Sequence, residues 1–156
     1  MAKIELIING IDALKRRLLE RKQALDERLE DELRRIAENA LTHAKLHQGY
    51  KDRTANLKNT ISYVLYKDGM PVSRHIGHNK PKKGERVVSD AEVQERLQKY
   101  ASDNKIVNSK GYCLVIVAPM EYAAAVESKG YNVLYLTKFF LQDEIKLLIK
   151  DIMNEE

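Results

Sequence analysis

At 156 residues, 44% of them apolar, with eight tyrosines, two phenylalanines and no tryptophan, the chain is long enough to bury a core without staples, and its composition excludes wholesale disorder. One cysteine rules out an intrachain disulfide and fits a reducing compartment. The start MAKIELIING has too short an apolar run for a signal peptide, and no stretch approaches the ~20 apolar residues of a membrane span. The net charge of +4 is mild and concentrates in RHIGHNKPKKGER, where Arg74, Lys80, Lys82, Lys83 and Arg86 face Glu85 alone.

From Ile11 to about His47 the sequence reads as one long helix. Ile11, Leu14, Leu18, Leu25, Leu29, Leu33, Ile36, Ala40 and Ala44 recur at steps of three, four or seven and share a face. Asn9, Gly10 and Asp12 are alternative starts, and Gly49 ends the helix. Such a helix spans roughly 50 Å, so part of it is expected to project, kink or pack against another subunit. The near-3.5 spacing also admits a coiled coil, although Arg21 and Lys22 interrupt the seam.

Alternation at Ile61, Tyr63 and Leu65, with Asp68-Gly69 as a two-residue turn, predicts a hairpin from Thr60 to Tyr66 and Met70 to Ile76. The stretch from Arg74 to Arg86 has three glycine or proline breakers and little to bury, and is expected to be mobile in an isolated subunit. A phosphate-facing patch is one reading of it and a solvated loop the other. Ser89 and Glu92 stand at capping-box spacing before Val93, Leu97 and Tyr100, predicting a helix from Asp90 to about Ala101.

GYCLVIVAP is a strand, Tyr112 to Val117, stopped by Pro119. Leu114 and Ile116 are expected on one face and Cys113, Val115 and Val117 on the other, with at least one set fully buried, so that Ile116→Ala would cost roughly 2–5 kcal/mol. MEYAAAVESKG is a short helix ended by Gly130. YNVLYLTKFF is expected to begin as a fourth strand, Tyr131 to Leu136, with Thr137 or Lys138 opening a closing helix striped by Phe140, Leu141, Ile145, Leu148, Ile149 and Ile152. The fold class is therefore α+β in a single domain: about four antiparallel strands with a long N-terminal, a short middle and a C-terminal helix packed against them.

Chemistry is hard to find. His43 and His47 have the i, i+4 spacing of a zinc pair, but Ala44 and Lys45 stand where an HExxH glutamate would begin. His75 and His78 lie in the basic loop without cysteines or clustered carboxylates. Neither a GxxxxGKS/T nor a GxGxxG phosphate loop occurs, and the carboxylates from Asp26 to Glu32 alternate with arginines as an ion-pair face does. Neither a catalytic nor a metal or cofactor site is indicated, and the expectation is a protein that works by shape and contacts.

Two segments carry a resemblance. DRTANLKNTISYVLYKDG is similar to the TGNLRxSI stretch of a family of small head-tail joining, or tail-completion, proteins of long-tailed bacteriophages and prophages. MEYAAAVESKGYNVL is similar to that family's YAxxVExG segment. The order of helix, first motif, hairpin, variable loop, strand, second motif and closing helix agrees over roughly residues 37–152. Thr54, Asn56, Leu57 and Ile61 match the first motif; Tyr122, Ala123, Val126, Glu127 and Gly130 match the second. Ala55 replaces the usual glycine and Thr60 the commoner serine. The resemblance implies a virion protein of the head-tail neck, made in the bacterial cytoplasm, which assembles as a ring with copies of itself and contacts other neck or tail proteins. Arg74, Lys80, Lys82, Lys83 and Arg86 would then be free to face DNA phosphates in the channel.

Glu127 is the motif residue hardest to explain by packing. Near a helix C-terminus it is expected to need a cation, on a neighbouring subunit, such as Lys58 or an arginine of the long helix. On that reading Glu127→Ala weakens assembly and leaves the fold intact. A non-specific nucleic-acid-binding protein and a small metal-independent hydrolase are the alternatives. The first lacks a recognised reading element and the second a clustered site.

Overall fold

The structure, a computed structural model, describes residues 2–49, 56–78, 80, 83–84, 87–120 and 123–155, the side chains of residues 2–12 and 56 excepted. In chain order it contains α1 (Ala2–Leu46), α2 (Asn56–Asn59), β1 (Ser62–Lys67), β2 (Met70–His75), α3 (Asp90–Asp103), a 3-10 turn (Ile106–Asn108), β3 (Tyr112–Val117), α4 (Ala123–Ser128) and α5 (Tyr135–Asn154). Two compact units result, residues 1–33 and 34–156. The first is helix alone. The starts expected at Asn9, Gly10 or Asp12 are not used, since helical backbone begins at Ala2 and runs through Gly10.

The apolar stripe of α1 has two fates. Leu14, Leu18 and Leu25 are 57%, 56% and 38% exposed, whereas Ile36, Ala37, Ala40 and Ala44 are fully buried. In the second unit, Ala37, Leu41 and Ala44 of α1 pack on Ile61 and Tyr63, with Leu114, Ile116 and Leu134 closing the cluster. The small alanines allow the helix to lie close to the strands.

The sheet is antiparallel with the order β2-β1-β3. β1 is central, and Ser62 through Tyr66 are all buried because both faces of the sheet are covered. Tyr63 faces α1, while Val64, Tyr66 and Val115 meet Val93, Leu97 and Ala101 of α3 and Ile106 on the other side. The hairpin turn adopts positive φ at Asp68 (50°) and Gly69 (80°), as an Asp-Gly two-residue turn requires. A Cβ at Gly69 would also stand 2.2 Å from the Val107 carbonyl oxygen, so only glycine fits. Asp68 N–H donates to the Gly111 carbonyl and its carboxylate accepts from Gly111 N–H, both at 2.8 Å, which fixes the entry to β3. The hairpin register shifts by a bulge between Leu65 and Tyr66.

Two expectations about the sheet are corrected. The sheet has three strands, because Tyr131–Leu136 does not pair and α5 begins at Tyr135, ahead of Thr137. The N–H groups of Val133, Leu134, Tyr135 and Leu136 donate instead to side-chain oxygens. The two faces of β3 fall as expected, but only Val115 is buried; Cys113, Leu114, Ile116 and Val117 are half-buried. An edge strand has a neighbour on one side only, so Ile116→Ala should cost less than a fully buried site would. The middle helix packs against the sheet as expected, α3 meeting Val64, Tyr66 and Val115 through Val93, Leu97 and Ala101. The expected cap is present, Ser89 Oγ accepting from Glu92 N–H at 3.2 Å.

Candidate functional site

The segment from Leu57 to Ser62 is built by local hydroxyl chemistry. Thr60 Oγ1 donates to the Leu57 carbonyl at 3.2 Å and closes the single turn of α2. Ser62 Oγ donates to the Thr60 carbonyl at 2.8 Å and accepts from Gly77 N–H at 2.9 Å. Thr60, Ile61 and Ser62 have no exposed surface, so each polar atom needs its partner inside the fold. Threonine at position 60 makes the bond a serine would make. Gly77 must be glycine for a different reason: a Cβ there would lie 2.2 Å from the Asn59 carbonyl oxygen.

The two motif segments, far apart in sequence, meet. Leu57 (1% exposed) packs with Ala123 and Val133, and Val126 joins the same cluster. Thr54 and Tyr122 lie outside the described residues, as does the Asn56 side chain. Ile61 belongs instead to the core under α1. Gly130 has a φ of +84° and its N–H donates to the Glu127 carbonyl, ending α4 by a left-handed residue.

Glu127 finds its partners within its own chain. One carboxylate oxygen accepts from Val133 N–H and Leu134 N–H, both at 2.9 Å, and the other from Tyr135 N–H at 2.8 Å. Asn132 Oδ1 accepts from Leu136 N–H at 2.9 Å. Together they occupy the donors at the start of α5, where the positive end of the helix favours a carboxylate. The cost that argued for a cation on another subunit is met here by backbone N–H groups. Asn132 also fastens the end of α1, its Nδ2 donating to the His47 carbonyl and its own carbonyl accepting from Gly49 N–H. Gly49 permits this approach, since a Cβ would sit 2.8 Å from Asn132 N.

The histidines of α1 pack against α5. The His43 ring stacks between His47, with centroids 4.1 Å apart, and Phe140 at 4.6 Å, and its Nδ1 is 3.1 Å from Thr137 Oγ1. His47 Nδ1 lies 3.0 Å from the His43 carbonyl. Among the described residues no group of three or more His, Cys, Asp or Glu side chains is placed to hold a metal. Burial, aided by the nearby His47, holds the His43 imidazole below its ordinary pKa, and burial together with Lys45 and His78 does the same for His75, against Glu38. The unfolded chain therefore binds protons that the folded one resists, so this contribution to stability is complete above pH ~6.5 and is lost as the pH falls towards the depressed values. Urea titrations at pH ~7.5 and ~5.5 should show the loss, and His43→Gln should reduce it.

Of the basic residues, Arg74 on β2, Lys80 and Lys83 are exposed, while Lys82 and Arg86 lie outside the described residues. His78 pairs with Asp90 at the start of α3, at 2.8 Å. No contact among the described residues gathers these cations into a single cradle.

Sequence reading alone did not locate a concavity beside β3. A groove of about 480 Å³ runs along β3, lined by Tyr100, Ile106, Leu114, Ile116, Leu134 and Leu141 among others. β3 is an edge strand, so its outer backbone groups lie beside an apolar trough. Cys113 also lines it, with burial raising the pKa of its thiol and so keeping it protonated and poorly nucleophilic. The groove suits an apolar surface more than a reaction. Comparison of the chain with protein-family models, with curated proteins and with solved structures gave no match.

Proposed function

We propose that the protein is a structural component of the head-tail connection of a long-tailed phage or prophage, acting by ring assembly with copies of itself and by docking to neck or tail proteins. The observation that carries the reading is the meeting of the two motif segments: Leu57, Ala123 and Val126 share one cluster, and Glu127 clasps the helix that follows. That the described motif residues build a core and a helix cap supports a protein that works by shape. Ring contacts are heterologous, one patch of a subunit meeting a different patch of the next. The edge of β3 and its groove offer a concave patch for a neighbouring copy.

On this reading assembly takes place in the bacterial cytoplasm and the finished ring resides in the virion. The exposed Arg74, Lys80 and Lys83 are available to phosphates in the channel, and they are also the observation that favours the nucleic-acid-binding alternative. Mixing the protein with neck and tail components, followed by sedimentation and electron microscopy, tests the proposal. Rings that join heads to tails are the expected result. Absence of any ring, with joined particles forming without the protein, would refute it. Tight, steeply salt-dependent DNA binding by the free subunit would favour the alternative.

A further inference from the structure

The first unit carries a face that its own residues do not cover. At 100° per residue, Leu14, Leu18, Leu25 and Leu29 fall within an arc of about 60° on α1. The first three are exposed and Leu29 is half-buried. Charge along the same segment is divided by sign. Residues 15–22 hold five cations (Lys15, Arg16, Arg17, Arg21, Lys22) against Glu20, a net +4, and residues 26–32 hold five carboxylates (Asp26, Glu27, Glu30, Asp31, Glu32) against Arg28, a net −4. Several of the carboxylates also interact within their own chain, so what matters for a partner is the field of each block rather than any single pair.

This pattern is complementary to itself when reversed. We propose that two copies of the chain associate through residues 13–32 in antiparallel orientation, Leu14 meeting Leu29 and Leu18 meeting Leu25 of the second copy. In that register the basic block of each copy runs alongside the acidic block of the other, twice over by the two-fold symmetry, and Lys15 and Asp26, about 70° and 90° from the centre of the stripe, flank the seam on the same side. A parallel pairing sets each block against its like and is disfavoured. Arg21 and Lys22 come together at the two-fold, which weakens the contact. They flank the leucine stripe, and their long stems let the charged heads turn towards the acidic block. The inference does not depend on the head-tail reading, because a closed pairing of two subunits is distinct from a ring contact.

Charge exchange tests it. Lys15→Glu/Arg16→Glu/Arg17→Glu takes residues 15–22 from +4 to −2, so that both blocks are acidic, and Asp26→Lys/Glu27→Lys/Glu30→Lys takes residues 26–32 from −4 to +2, so that both are basic. Each variant alone should associate about tenfold or more weakly than wild type in sedimentation equilibrium at low salt, with unchanged helical circular dichroism. An equimolar mixture should recover the wild-type association as a heterodimer. A monomeric wild type, variants that pair as well as wild type, or a mixture that fails to recover would each overturn the proposal. Ring formation tested separately with the neck components leaves these outcomes distinguishable.

Discussion

Glu127→Ala is expected to destabilise the second unit by about 2–4 kcal/mol, because three charge-assisted hydrogen bonds to backbone N–H groups are lost at once. Part of the loss is recovered by water, since Tyr135 is exposed, which sets the upper bound. The Val133 and Leu134 donors are less accessible and carry most of the cost. Glu127→Gln, which keeps an acceptor oxygen but not the charge, should fall between alanine and wild type. Denaturant unfolding followed by circular dichroism measures both. An effect on fold stability, rather than on assembly alone, separates this role from the intersubunit contact that the sequence suggested.

Leu57→Ala is expected to cost about 2–5 kcal/mol, the range for truncating a fully buried leucine. Leu57 lies in the cluster with Ala123 and Val133, so the cavity would open between the first motif and the start of α5. Leu14→Ala is the internal control, because a leucine that is 57% exposed should change subunit stability little. Thermal or urea unfolding of the two variants side by side gives the contrast.

Much of the second unit was legible in the sequence because its signals are local. The Asp68-Gly69 turn, the Ser89 cap and the apolar run of β3 each state their structure within a few residues. The fourth strand misled because YNVLYL has strand-forming composition, and propensity was overridden by acceptors. Val133, Leu134 and Tyr135 give their N–H groups to a carboxylate six to eight residues earlier, a distance at which no pattern search looks. Asn132 ahead of an apolar run was the signal available for a helix start. The two fates of the α1 stripe could not be read from periodicity, which is the same in both halves; what covers a face is a tertiary fact. The same holds for the groove beside β3, which exists only once the strand order makes β3 an edge.

That the two motif segments form one structural unit is the claim on which the functional reading rests, and a double-mutant cycle with Leu57→Ala and Glu127→Ala addresses it most directly. Val133 joins the two residues, its side chain packed with Leu57 and its N–H held by Glu127. Once either contact is lost Val133 is loosened, and the second substitution has less to remove. The double variant should therefore be less destabilised than the sum of the single variants by about 0.5–3 kcal/mol. Strict additivity, within about 0.3 kcal/mol, would show that the segments act independently and would contradict the account.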